Sequence, residues 1–80
     1  MQFVAVLGGR VVSYPQSALF VIEKRKAHQP FSLVSTKDSI HSAITKFHRC
    51  AEPGTSTRLS YTQNGQLVPI LKETHHVQGI

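Results

Sequence analysis

Apolar and polar residues near the start of the chain alternate in two short runs that predict β-strands. The segments FVAVL and RVVSY flank Gly8 and Gly9, a pair that tolerates the positive φ values of a two-residue hairpin turn. Pairing across this turn places Val6 beside Val11 on one face. The opposite face then carries Phe3, Ala5, Val12 and Tyr14. Both faces of the predicted hairpin are therefore largely apolar.

Two further strands are predicted after a break at 15–17. The segments ALFVIEK and FSLVS are rich in β-branched and aromatic residues, and the PQS that precedes them is typical of a turn. Between them runs EKRKAHQPF, from Glu23 to Phe31, which concentrates three consecutive cations, a histidine and a proline. This segment is either the solvated tip of a hairpin or a contact for an acidic partner, and both readings stay open.

The hydrophobic period changes to that of a helix after Ser35. One apolar stripe at helical spacing consists of Ile40, Ala43, Ile44, Phe47 and Ala51. Ser35 stands three residues before Asp38, which resembles a capping box, and EPG at 52–54 indicates the end. We therefore predict one helix of about fourteen residues, or about 21 Å.

The last part of the chain predicts a second hairpin. The segments RLSYTQ and QLVPI flank Asn64-Gly65, the strongest short hairpin signal in a sequence. The implied register pairs Leu59 and Tyr61 with Ile70 and Val68. It also places Pro69 opposite Ser60, at a non-hydrogen-bonded position, so the last strand is predicted to be a sheet edge.

Together these elements predict one α+β domain over residues 1–80, in the order ββββαββ. We expect an antiparallel sheet of five or six strands with one helix packed on one face. That helix covers only one face, and the uncovered face would carry Val4, Val6, Val11, Leu67 and Leu71. Either the sheet curls to bury these residues, or the face meets another molecule, such as a second copy in a homodimer.

Cysteine content and the N-terminal run bear on the compartment. The single cysteine, Cys50, cannot form an internal disulfide, which favours a reducing environment. The apolar run at 3–7 is too short for a signal peptide or a membrane span. We therefore expect a soluble, cytoplasmic protein that does not insert into membranes.

The charge balance favours acidic partners. Nine Lys and Arg residues against four Asp and Glu give a formal net charge of +5, with a pI near 9.9. Nucleic acid, acidic protein surfaces and anionic membranes would all be attracted. Only 16% of residues are charged, so the excess reflects scarce acids and no dense basic tract.

Catalytic chemistry has weak support in the sequence. Asp38, His41 and Ser42 lie together on the predicted helix and supply an acid, a base and a hydroxyl. An exposed helix surface offers no wall to exclude water and no oxyanion donor. We therefore expect no enzymatic activity and no cofactor.

Histidine and cysteine spacing argues against a metal site. His48 and Cys50 are two residues apart, so on a helix their side chains diverge by about 200°. His41 and His48 share a face but lie about 10 Å apart, too far for one ion. We expect no bound metal.

Two hypotheses for function follow. The first is a non-enzymatic interaction module, of inhibitor or adaptor type, that docks a sheet face or edge on a larger protein or nucleoprotein complex with an acidic surface. On this hypothesis Val6 and Val11 contribute to the contact. Phage-encoded inhibitors of host machinery, including anti-CRISPR proteins, are similar in size, and the likeness is one of size alone.

The second hypothesis is a small nucleic-acid-binding protein that grips phosphates. Its contacts would be Lys24, Arg25, Lys26 and His28 at the hairpin tip, with Lys46 and Arg49 on the helix. Strand alternation splits the tip cations between two faces. Base stacking would need exposed aromatic rings. The apolar registers instead predict core positions for Phe3, Phe20, Phe31, Phe47 and Tyr61.

Overall fold

The chain forms six strands and one helix in the order ββββαββ, and every strand pair is antiparallel. The structure, a computed structural model, describes residues 2–7 and 9–76. The predicted order and the α+β class are confirmed. The elements are β1 Gln2–Leu7, β2 Arg10–Pro15, β3 Phe20–Lys26, β4 Ser32–Lys37, α1 Ile40–Arg49, β5 Thr55–Gln63 and β6 Gln66–His75.

The strands form two sheets, so the prediction of a single sheet is wrong. One sheet has four strands in the order β4-β3-β5-β6, and the other is the β1-β2 hairpin. The hairpin packs a face against the rest of the protein because that face is apolar. Leu7 and Tyr14 join the core, and the Tyr14 ring lies edge-on to Phe20 with 5.1 Å between ring centres. A turn in which the Ala18 amide donates to the Pro15 carbonyl connects the two sheets.

The register of the first hairpin matches the prediction. Val6 pairs with Val11, and Phe3 pairs with Tyr14. Gly9 has φ of 77°, in the left-handed region that glycine adopts without steric penalty. Gly8, the other half of the predicted turn, lies outside the described residues.

The β5-β6 hairpin also forms, with one shift in register. Asn64 and Gly65 both have positive φ, as a tight two-residue turn requires. Ser60 faces Pro69 as predicted, and β6 is an edge of the four-stranded sheet. Leu59, however, pairs with Leu71 and not with Ile70. A bulge accommodates Ile70 as the extra residue, and its side chain is buried in the core.

The helix is shorter than predicted and begins later. It spans Ile40–Arg49, and the Ser39 hydroxyl accepts a hydrogen bond from the Ser42 amide at 3.4 Å. The predicted cap, Ser35, lies in β4 opposite Ile22, because pairing with β3 satisfies its backbone. Within residues 2–7 and 9–76, no helix is long and apolar enough to cross a membrane.

The core lies between α1, the inner face of the β1-β2 hairpin and one face of the four-stranded sheet. Helix α1 packs against β3, β4 and β5, with Ala43 and Phe47 fully buried. Ala51 was predicted to belong to the apolar stripe, but it follows the helix and is exposed, so that prediction is wrong. Cys50 is buried instead. The core side chains of the sheet, among them Ile22 and Leu59, define its inner face. Helix α1 does not pack on the opposite, outer face.

Candidate functional surfaces

Three valines form an exposed apolar strip on the side of the β1-β2 hairpin that faces away from the core. Val4, Val6 and Val11 are 66%, 70% and 73% exposed. The register places Val6 directly opposite Val11, and Val4 follows two residues away on β1. We call this strip the valine face. Curling of the sheet does not bury these residues, so that expectation is wrong for the first hairpin.

The two leucines expected on the same apolar face lie elsewhere. Leu71 packs against the core, because the bulge at Ile70 places Leu71 opposite Leu59 on the inner side of β6. Leu67 is exposed near the β5-β6 turn, opposite Thr62. The valine face is therefore confined to the first hairpin.

The valine face rests on a firm support. Leu7 and Tyr14, which point to the other side of the hairpin, are buried in the core. The Arg10 guanidinium donates from Nη2 to the carbonyl oxygen of Ile70 at 2.6 Å. This bond joins the hairpin to the bulge in β6, so the valines are presented on an anchored ribbon.

No charged residue shares the valine face among the described strand residues. Its remaining positions are occupied by Gln2, Ser13 and Pro15, and the Ser13 hydroxyl donates to Gln2 Oε1 at 2.7 Å. A partner could cover the valines without desolvating a charged group. The favourable free energy of burying apolar surface would then not be reduced by the cost of burying a charge. This surface is suited to contact with another apolar surface.

The basic hairpin tip is divided between the two sides of the sheet, as alternation predicted. Lys24 lies on the inner side, where its Nζ is 3.1 Å from Glu52 Oε1. Arg25 points to the outer side, opposite Ser56. Lys26 and His28 are exposed, and His28 has φ of 65° in the turn. The tip is therefore solvated and bends sharply, and its cations project to both sides of the sheet around one depression.

A second basic surface lies on the helix. Lys46 and Arg49 line a shallow depression of about 340 Å³. The other lining residues are Lys37, His41, Ser42 and Thr45. None of these six side chains is acidic. The tip cations border a different depression, of about 300 Å³, so the structure does not unite Lys46 and Arg49 with Lys24, Arg25 and Lys26.

Phe3 is 43% exposed on β1 and lies outside the core, so its predicted core position is wrong. Phe31 is not a core residue either. Its ring is half-buried on the outer face of the four-stranded sheet, and three cations surround it. The ring centre lies 4.0 Å from Arg58 Cζ, 4.7 Å from Arg25 Cζ and 5.9 Å from Lys72 Nζ. These distances are within the range of cation–π attraction.

Register explains why Phe31 lies outside the core. Leu33 pairs with Glu23, and Glu23 alternates with the core residue Ile22, so Leu33 belongs to the outer side. Phe31 stands two residues before Leu33 and follows it to that side. On the inner side, α1 already packs against β4. Phe31, which directly precedes β4, therefore contacts the cations of the outer face.

Arg58 is held in place by Glu23. Its Nε and Nη2 both donate to Glu23 Oε1, at 3.0 and 2.9 Å. The Glu23 side chain is only 13% exposed, so this pair is shielded from water more than an ordinary surface ion pair. The Arg58 guanidinium is therefore held over the Phe31 ring.

The polar residues considered for catalysis and metal binding do not assemble into a site. Asp38, His41 and Ser42 are all exposed. Within the described ranges, no three His, Cys, Asp or Glu side chains lie close enough together to hold a metal ion. Cys50 is buried while His48 is exposed, and His75 Nε2 lies 3.0 Å from the Thr57 hydroxyl.

The residues that sequence reasoning missed are Arg58 and Lys72 on the outer face and Lys37 beside the helix. Arg58 pairs with both Glu23 and Lys72 in neighbouring strands. Extending the predicted β5-β6 register by alternation would have placed Arg58 on the side away from Leu59.

Comparisons with protein-family models, with curated proteins and with solved structures found no match.

Proposed function

We propose that the protein is a non-enzymatic interaction module, of inhibitor or adaptor type, that docks the valine face on a larger protein. One observation carries this proposal: three branched apolar side chains are more than 60% exposed on one side of a ribbon whose other side is anchored in the core. Contiguous exposed apolar surface of this kind marks interaction sites in soluble proteins.

The partner on this proposal is an acidic protein, and a second copy of the chain is disfavoured. Two copies in contact would bring together molecules that each carry a formal charge of +5. Like charges oppose association, whereas an acidic surface would be attracted over a distance of about one Debye length, roughly 8 Å at physiological salt. Charge complementarity therefore selects an acidic heterologous partner.

The valine face is too small to be a complete interface. A two-stranded ribbon of six residues per strand is about 20 Å long and about 10 Å wide, or on the order of a few hundred Å². A stable specific interface buries about 800 Å² on each partner. The valine face must therefore be the apolar centre of a larger contact, and the net positive charge of the chain adds long-range attraction to it.

The cations of the hairpin tip have a kinetic role on this proposal. Lys26 is exposed, and Lys24 forms a partly exposed ion pair with Glu52, with 3.1 Å between Nζ and Oε1. Exposed rim charges accelerate encounter more than they hold a complex together. The valines would then determine how long the complex lasts.

A pull-down from lysate of the natural source, treated with nuclease, tests the proposal. The bait proteins are the parent chain, Val11→Lys and a matched control, Leu33→Lys. Leu33 is 66% exposed on the outer face of the other sheet, so both variants place a lysine at an exposed apolar position. We expect an acidic protein to be retained by the parent and by Leu33→Lys, and to be lost with Val11→Lys.

Three results would contradict the proposal. Retention of the same partner by Val11→Lys would place the contact elsewhere. Loss of every bound protein on nuclease treatment would assign the interaction to nucleic acid. A concentration-dependent homodimer of the purified chain that Val11→Lys dissociates would identify the occupant as a second copy.

A further inference from the structure

On the outer face of the four-stranded sheet, three cations surround the aromatic side chain of Phe31 and form a cluster with it. Phe31 lies closest to Arg58, at 4.0 Å, followed by Arg25 and Lys72. The three cations come from β5, β3 and β6, so the cluster extends across three adjacent strands. It belongs to a different sheet and a different surface from the valine face.

The charge of this cluster is not balanced. Glu23 accepts both hydrogen bonds from Arg58, so that pair is close to neutral. Arg25 and Lys72 make no ion pair within the described part of the chain. Both are therefore available to an anionic ligand, with the fixed Arg58–Phe31 stack between them and the sheet as a support.

Hydroxyl groups continue the polar surface next to the cations. Ser56 lies beside Arg25 in the β3-β5 register, and its Oγ is 3.2 Å from the Thr74 hydroxyl in β6. Two residues further along β5 stands Arg58, and two residues before Thr74 stands Lys72. Cations and hydroxyls thus alternate on one face; Ser56 is buried, and the exposed Thr74 hydroxyl is the one that can contact a phosphate oxygen.

We propose that this outer face binds a single-stranded nucleic acid, with Arg25 and Lys72 on its phosphates and the Arg58–Phe31 stack beneath a base. Guanidinium planes and aromatic rings both stack on unpaired bases, and stacking is tolerant of sequence because every base has a π-face. The ligand class is a flexible polyanion with flat apolar groups. Its charges match the cations of the cluster, and its flat groups match the aromatic ring of Phe31.

The placement of the cluster favours nucleic acid over an acidic peptide. A peptide that adds to a sheet as a strand needs an edge with unpaired backbone groups, and an acidic motif bound by an Arg cluster would make no use of the aromatic ring. Here the cations project from the face and cross β3, β5 and β6, and β3 and β5 are the two central strands. An open four-stranded sheet face with an aromatic ring among cations is a surface on which unpaired bases can lie.

Fluorescence anisotropy with a labelled oligothymidylate of about twenty nucleotides tests this proposal, since that length exceeds a typical small single-strand site. The variant Arg25→Ala/Lys72→Ala is compared with Lys46→Ala/Arg49→Ala. Both lose two positive charges, and the second pair lies in the helix depression. Phe31→Leu removes the ring and keeps an apolar side chain of similar size.

We expect the outer-face double variant to bind at least roughly tenfold more weakly, because two phosphate contacts disappear. The slope of log affinity against log salt should fall by about 1.4, at about 0.7 for each phosphate on a single strand. Phe31→Leu should weaken binding severalfold with an unchanged slope, since stacking is lost and phosphate contacts remain. The helix double variant should stay within about twofold of the parent.

The proposal is overturned by any of four results. The parent chain does not bind the oligonucleotide at low salt, or both double variants weaken binding equally, which would indicate attraction by net charge alone. Polyglutamate of matched charge displaces the oligonucleotide as well as unlabelled oligonucleotide does, which would indicate an acidic peptide site. Binding by Phe31→Leu equals that of the parent, which would remove the stacking role. Circular dichroism confirms in each case that the variant is folded.

Discussion

The guanidinium of Arg10 donates a hydrogen bond of 2.6 Å to the carbonyl oxygen of Ile70, the residue at the bulge in β6. A bulge leaves a strand residue without its regular ladder partner, and Arg10 supplies a donor at that position. The bond also links the two sheets, sixty residues apart in sequence. The orientation of the valine face therefore depends on a contact at the opposite end of the chain.

Replacing Arg10 with methionine should lower the free energy of unfolding by about 1.5 to 3 kcal/mol, the usual range for a charged hydrogen bond. Methionine keeps an apolar stem of similar length, so the loss reports the bond and not the packing. Urea denaturation measures the effect. Arg49→Met on the exposed side of α1 is the control and should change stability by less than about 0.5 kcal/mol. Equal effects for the two variants would mean that the Arg10 contact does not stabilise the fold.

Phe47→Ala should destabilise the domain by about 3 to 5 kcal/mol, because Phe47 is fully buried in the helix stripe. In a domain of this size that loss can unfold the chain. Phe3→Ala makes the same chemical change at a ring that is 43% exposed, so it should cost clearly less. Thermal unfolding followed by circular dichroism measures both. A Phe47→Ala variant as heat-stable as the parent would contradict the assigned helix face.

Val11→Lys should leave the fold intact, because the Val11 side chain is 73% exposed and a lysine can reach solvent there. Ile22→Lys, at a fully buried position on the inner face, should unfold the chain. Circular dichroism with size-exclusion chromatography distinguishes these outcomes. We expect Val11→Lys and the parent to elute as folded monomers of the same size. Unfolding of Val11→Lys would mean that the valine face is packed inside the molecule.

Replacing Lys24, Arg25 and Lys26 with alanine should slow association with an acidic partner and weaken its salt dependence. The dissociation rate should change little, because solvent-accessible charges accelerate encounter more than they hold a complex together. Surface plasmon resonance with the purified partner separates the two rates. A faster dissociation with an unchanged association rate would show that the tip residues hold the complex directly.

Local sequence patterns were sufficient to predict the strand and helix order, the pairing of strands within both hairpins and the buried helix positions Ala43 and Phe47. Asn64-Gly65 adopts the expected turn, and Phe47 occupies the centre of the core. These features depend on neighbours within a few residues, where spacing and turn chemistry decide the outcome. The valine pair Val6–Val11 follows from the same local register.

The remaining features depend on contacts between distant segments. Arg10 reaches Ile70, and no local pattern signals the bulge that shifts Leu71 onto the core side. The β1-β2 hairpin forms its own sheet. Its apolar face can be buried by packing on the core, so the hairpin does not have to pair with an edge of the four-stranded sheet. Phe31 was expected in the core because an apolar residue beside a strand usually lies there. Alternation from Leu33 instead turns it toward Arg25 and Arg58.

Photo-crosslinking from position 11 identifies the molecule that contacts the valine face. A photoreactive phenylalanine analogue replaces Val11 on the valine face or, as a control, Leu33 on the outer face of the other sheet. Each variant is irradiated in nuclease-treated lysate of the natural source. We expect a covalent adduct to one acidic protein from position 11 and no such adduct from position 33. Adducts to a second copy of the chain, or the absence of any adduct specific to position 11, would contradict it.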